Sequence, residues 1–305
     1  MIFILSITTF SIIILTIIII FIIIYDRANK IKNDKTLYIN NIYIPKNIYL
    51  CYKSKDIPDY IIPNWKKLNP DYNVYLYDND DCKEFLLQSF GQEYVDCFNY
   101  IKDGPIKADF WRVCILYQYG GVYSDIDVEP LVPIDSIIDK DVSFLSCISM
   151  TKNELNPHII ITGPKNPIIK ECIDKYVDYY DNMKPYSYWG WSIVHIMTNI
   201  LYKQFGKYIN NEGIYEGNDG NNYQFIKEVF KYNLSDIYCT YKNIKVLNNR
   251  YRDYNPDNHH FNLVIKDKTK EEIKTIVDTD MEVSSDPESN QSVVSYFKKL
   301  LTTLI

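Results

Sequence analysis

The stretch from Gly104 to Pro130 constrains this chain more than any other. Pro105 stands where a first helical turn tolerates a missing N–H, and Gly120-Gly121 stops the helix after Tyr119. Between them Ile106, Phe110, Val113, Cys114 and Tyr117 recur at helical spacing and form a core face. Val122 to Val128 then reads as a strand, ended by Glu129-Pro130. Further strands are expected at about 47–52, 73–77 and 142–148, and helices at 59–68, 80–90, 167–180 and 192–206. Alternating strands and helices predict an α/β sheet with crossover connections. Beyond these, 207–222 reads as a loop, 223–232 as a helix and the stretch to 265 as irregular.

The first residues belong to another solvent. Ile2 to Ile24 contains no charge, Gly or Pro. At 1.5 Å per residue it reaches roughly 34 Å, enough for a bilayer core of about 30 Å. A cleaved signal peptide would need a basic start and a small-residue cleavage site, and Tyr25-Asp26-Arg27 supplies none. The expectation is a membrane protein with a single N-terminal anchor over 1–25 and a lysine-rich stem over 26–40. Arg27, Lys30, Lys32 and Lys35 favour a cytoplasmic C-terminal side. A secretory-pathway enzyme in a Golgi- or ER-like lumen requires the reverse, so both orientations stand. At the other end, 271–305 reads as an acidic linker and an amphipathic helix with Val293, Phe297, Leu300, Leu301 and Leu304 in its stripe.

The net charge of −6 argues against a nucleic-acid partner, which would want a basic face. Seven scattered cysteines form no Cys-x-x-Cys pair and no Cys/His cluster along the chain, which argues against structural zinc; Cys114 and Cys172 read as core residues.

The chemical signal lies in Ser124-Asp-Ile-Asp-Val-Glu-Pro130. On a strand, residues two apart face one side, so Asp125 and Asp127 are expected to project together while Ile126 packs behind. Two converging carboxylates repel unless a cation or proton lies between them. Mg²⁺ and Mn²⁺ take such oxygens and bridge to phosphates, which suits a nucleotide diphosphate. On the preceding helix Asp109 and Arg112 share a face, in an apolar segment where charges are seldom buried without a task.

The run Gly104–Leu131 resembles the sugar-binding DXD region of glycosyltransferase family 32, as do Ile44-Pro-Lys-Asn-Ile48, Trp65-Lys-Lys-Leu-Asn-Pro-Asp71 and Tyr77-Asp78. The family includes the yeast initiating α-1,6-mannosyltransferase and the inositol phosphoceramide mannosyltransferases. The resemblance covers about 45–135, and Pro164-Lys-Asn-Pro167 extends it. It departs at Tyr49-Leu50, where the family often has His-Gln, and Thr162-Gly163-Pro164 precedes a helix that the family's triplet follows.

The resemblance implies a GT-A domain over 41–270, a Rossmann-like sheet that binds a nucleotide sugar, with retention at the anomeric carbon. It implies that Asp125 and Asp127 serve catalysis by holding Mn²⁺ or Mg²⁺ against the diphosphate, Asp127 more directly. It implies that Asp109 and Arg112 contact the donor sugar, that Trp65 belongs to the substrate region and Trp191 to the acceptor side, and that His260, of His259-His260, completes the metal shell. His158 and His195 stay unassigned. The reading is a membrane-anchored, metal-dependent hexosyltransferase acting from GDP-mannose, UDP-galactose or UDP-N-acetylglucosamine on a glycan or glycolipid. Its rivals are a non-catalytic sugar-binding relative and a phosphohydrolase built on Asp125, Asp127 and Glu129.

Overall fold

A computed structural model describes residues 43–231 and 233–249. The expected anchor, stem, acidic linker and C-terminal helix, together with His259-His260, lie outside the described residues. Among the described residues no helix is long and apolar enough to cross a membrane.

The chain alternates as expected at first: β1 (Asn47–Cys51), α1 (Ile61–Leu68), β2 (Asn73–Tyr77) and α2 (Asn79–Phe90). Asp78 opens α2 with a capping box: its carboxylate accepts from the amides of Asp80 and Asp81, and Asp81 accepts from the Asp78 amide. A helix α3 (Gln92–Tyr100) follows that periodicity did not single out. Then come α4 (Gly104–Tyr119), β3 (Gly121–Ser124) and β4 (Val128–Pro130). The remainder is β5 (Val142–Ile148), β6 (Leu155–Thr162), α5 (Pro167–Asp181), α6 (Tyr188–Trp191), α7 (Ile193–Phe205), β7 (Gly213–Glu216), β8 (Asn222–Lys231), β9 (Asn233–Tyr241) and β10 (Ile244–Asn249).

The ten strands form one mixed sheet in the order β2-β1-β3-β6-β5-β8-β9-β10-β4, with β7 beside β8. β1 runs parallel to β2 and β3, and β5 parallel to β8; the other pairs are antiparallel. The order forces a curl. β3 and β4 lie six strands apart in the sheet, yet only Asp125-Ile126-Asp127 joins them. Three residues span at most about 10 Å, so the sheet must bend until its far edge returns to β3.

Side chains alternate between two cores. Tyr123, Phe144 and Ile160 face the one covered by α2–α5 and α7; Val122, Leu145 and Ile161 face the inside of the curl, with Trp65 of α1. Helix α4 is buried almost all round, including Asp109, Phe110, Trp111, Arg112 and Val113. Its end is set by backbone freedom. Gly120 and Gly121 have φ of 63° and 103°, and a side chain on Gly121 would meet the Asn47 carbonyl at 2.7 Å. That close approach lets β3 lie against β1.

Three expectations from the later chain are corrected. Of the expected helix 223–232, residues 223–231 lie in β8: Tyr223, Phe225 and Ile226 serve equally as strand residues, and pairing with β5 decides. Within the stretch read as irregular, 233–249 form the β9–β10 hairpin, and the loop before it contains β7. β6 escaped notice because Asn156-Pro157-His158 masks a strand whose Ile159–Ile161 core is buried on both faces.

Candidate active site

Helix α4 carries Asp109 and Arg112 one turn apart, and the fold buries both. Arg112 Nη2 lies 2.7 Å from Asp109 Oδ1 and 3.0 Å from Asp125 Oδ1. Its Nη1 donates to the Pro157 carbonyl of β6 at 2.6 Å, and its guanidinium stacks 4.3 Å from the centre of the Tyr123 ring. One side chain thereby joins α4, β3, the turn after β3, and β6. Burial works against the charge, but Asp125, Tyr123 and Asp109 outweigh it and raise the guanidinium pKa. Two carboxylates around one guanidinium leave the cluster with surplus negative charge.

Its members are braced from outside. Asp109 Oδ2 accepts from the Ile193 amide at 3.0 Å, tying α4 to the first turn of α7. A carboxylate suits that place, since the first amides of a helix have no acceptors within it. Tyr123 donates its hydroxyl to Asp125 Oδ1 at 2.7 Å, and burial pushes its pKa well up, so the proton stays on the phenol. The Asp125 amide donates to the His158 carbonyl at 2.8 Å. Tyr188 of α6 stands close enough for Asp109 and Asp125 to add to the upward shift that burial gives it.

The expectation of one strand carrying both aspartates is corrected. β3 ends at Ser124; Asp125, Ile126 and Asp127 form a turn closed by the Val128 amide on the Asp125 carbonyl at 3.2 Å. Asp125 and Asp127 therefore do not share a strand face. Asp125 takes the bonds from Arg112 and Tyr123 on a single oxygen, Oδ1, with its side chain 31% exposed. Asp127 lies further round the turn, in a small cleft with Tyr60, Ile61, Asn64 and Glu129. Asn64 donates to Glu129 at 3.4 Å across it. The donors are hard carboxylate oxygens, which fit Mg²⁺ or Mn²⁺ better than a soft metal. The third expected ligand, His260, is outside the described residues.

The two indoles expected at the site belong to its supports. Trp65 has no exposed surface and lies beneath the Asp127 cleft. Trp191 is likewise wholly buried, its Nε1 donating to the Pro185 carbonyl at 3.2 Å among Tyr100, Tyr179 and Tyr186. Neither offers surface to a ligand in this structure. His195 sits in the first turn of α7, hydrogen-bonded to Asn199, and burial lowers its pKa. Tyr123 and the Pro157 carbonyl were missed. Tyr123 was legible as the residue two before Asp125, but nothing local marks a carbonyl 45 residues from Arg112.

A mixed α/β fold that gathers Asp109, Arg112 and Asp125 at a strand end defines a class of protein with an acidic, arginine-braced site. Residues 58–144 match the family model described as a glycosyltransferase sugar-binding region containing a DXD motif. That is the family read from the sequence. The chain is similar to the initiation-specific alpha-1,6-mannosyltransferase of Candida albicans, 32% identical over 33% of this chain and 29% of that protein. It is also similar to the mannosyl phosphorylinositol ceramide synthase CSH1 of Saccharomyces cerevisiae, 25% identical over 55% of this chain and 44% of the other. The chain thus spans less than half the length of these curated relatives. Among solved structures, PaToxG glycosyltransferase aligns with a TM-score of 0.42 and 19% identity, over 59% of this chain and 78% of that one.

Proposed function

We propose that this chain is a metal-dependent glycosyltransferase of GT-A type, moving a hexose from a nucleotide diphosphate sugar to a glycan or glycolipid acceptor. The observation that carries the reading is the shared grip of Arg112 on Asp109 and Asp125 inside the matched region. The two relatives above are named for mannosyl transfer, so GDP-mannose is the first donor to test. We take 41–270 as the transferase domain, behind an anchor at 1–25.

In this reading Asp127, on the turn, would hold Mn²⁺ or Mg²⁺ with Asp125. The ion, when bound, neutralises charge that develops on the departing nucleoside diphosphate. Arg112 fixes the position of Asp125 from below, and the Tyr123 hydroxyl holds the same oxygen, so the carboxylate needs no rearrangement when charge develops. Asp109, locked by the Ile193 amide, aligns the start of α7 with the site. Retention then follows by attack on the donor face that the leaving group occupied.

The experiment is calorimetry of the purified chain with GDP and with UDP, each in Mn²⁺ and in EDTA. Metal-dependent binding of one nucleotide is expected and names the donor base. A folded chain that binds neither would move the assignment to a non-catalytic relative.

A further inference from the structure

The curl of the sheet assembles a group that spacing along the chain does not reveal. Among the described residues one set of His, Cys and carboxylate side chains could hold a metal: Cys147 of β5, His158 of β6 and Cys239 of β9. Their candidate ligand atoms all lie within 4.8 Å of one another, and all three residues are buried. Cys147 Sγ is 3.6 Å from Cys239 Sγ, which is 3.3 Å from His158 Nε2. Two of these residues lie 92 positions apart, so the expectation of no Cys/His cluster is corrected by the fold alone.

Register explains the meeting. Cys147 pairs with Ile226 and Cys239 with Glu228, two residues further along β8, so these four share the face inside the curl. Strict alternation on β6 would send His158 opposite to Ile159, but the β5–β6 register slips between Ser146 and Ile148. Such irregularities re-aim side chains, and this one brings the imidazole to Cys239. There the ring is buried. Its Nε2 meets a sulfur, and its Nδ1 has no hydrogen-bond partner among the described residues. A buried imidazole so poorly served costs free energy unless something else binds it.

We infer that Cys147, His158 and Cys239 form a site for a soft or borderline d10 cation, Zn²⁺ foremost, separate from the carboxylate site for Mn²⁺ or Mg²⁺. Tetrahedral zinc, with bonds of about 2.3 Å to sulfur and about 2.0 Å to nitrogen, sets its ligand atoms about 3.5–3.8 Å apart. The Cys147–Cys239 and Cys239–His158 separations need only a few tenths of an ångström of adjustment, and the third pair lies within 4.8 Å. Binding releases two protons from the three side chains to solvent and forms two sulfur bonds and one nitrogen bond, which leaves the three-ligand complex neutral. Glu228 is buried and faces Cys239 across the ladder, a carboxylate outside the three-ligand group. Its oxygens accept from the Met150 amide and from Asn156.

The site has a consequence for the other one. The His158 carbonyl holds the Asp125 amide, and the neighbouring Pro157 carbonyl holds Arg112. A cation joining His158 to β5 and β9 would clamp the strand segment that positions both residues.

The test is metal analysis of the purified full-length chain in reducing buffer, followed by chelation and titration with Co²⁺. Zinc near one per chain and a thiolate-to-cobalt charge-transfer band are expected. Cys147→Ser and Cys239→Ser should each weaken zinc binding about tenfold or more, while Asp127→Asn should keep it. Should the serine variants fail to fold, the wild-type cobalt spectrum still decides. Absence of both zinc and that band, or a Cys147–Cys239 disulfide mapped in the purified protein, overturns the site. Loss of zinc in Asp127→Asn would assign the metal to the carboxylate site instead and overturns it equally.

Discussion

Arg112 and Asp125 meet at 3.0 Å with Arg112 buried and Asp125 partly open, so one end of this ion pair is anchored and the other is presented. The arrangement separates two aspartates that the sequence motif treats as equals. Asp125 is built into the frame, and Asp127 stands on the turn beyond it.

That separation predicts different failures. Asp127→Asn should abolish metal-dependent nucleotide binding and transfer while leaving the fold intact. Asp125→Asn should lose activity and also stability, by about 1–3 kcal/mol, because Arg112 and Tyr123 both lose a charged acceptor. Thermal unfolding with calorimetry distinguishes them. Full transfer activity in Asp127→Asn would sink its role.

Arg112 has a geometric task as well as an electrical one. Arg112→Ala leaves Asp109 and Asp125 without their shared cation and should cost about 3–5 kcal/mol. Arg112→Lys keeps the charge but cannot reach Asp109, Asp125 and the Pro157 carbonyl together. We expect transfer to fall about 100-fold in the lysine variant, as misplacement of the site by about 1 Å would produce. Steady-state kinetics beside a melting curve checks both.

Gly121→Ala tests the β1–β3 approach. The added carbon would lie 2.7 Å from the Asn47 carbonyl at a φ of 103°, so strain and clash combine. A loss of about 2–3 kcal/mol is expected in denaturant unfolding, whereas alanine at Gly104, with open space around it, should have little effect.

Glu154, in the turn between β5 and β6, predicts a pH dependence. Burial pushes its carboxyl from 4.5 up to about 7. The folded state therefore binds this proton more tightly than the unfolded chain. Its contribution is fully present below about pH 4.5 and is lost as pH rises through 7, by up to about 3 kcal/mol. Glu154→Gln should raise stability at pH 8 and leave it nearly unchanged at pH 4, in urea titrations at the two values.

Much of the fold was legible because local rules agreed with the final packing. Asp78 and Asp81 cap α2, Pro105 and Gly120 bound α4, and the apolar runs at 47–51, 73–77 and 142–148 became strands. The family and its Asp and Arg residues were legible in the same way, since Asp109, Arg112, Asp125 and Asp127 fall within 19 consecutive residues. Spacing within a helix placed Asp109 beside Arg112 without help from the rest of the chain.

Only the tertiary structure decided the rest, and the reason is distance along the chain. Strand pairing turned 223–231 from an apparent helix into β8, because a neighbour 79 residues away at Val142–Ile148 supplies its hydrogen bonds. The break between Asp125 and Asp127 exists because β4 must cross to the far edge of a curled sheet, a demand no local pattern records. The same curl buries Trp65 and draws Cys147, His158 and Cys239 into one group, while the helices on the other face bury Trp191. Local chemistry determined which residues could act; sheet order determined which of them stand together.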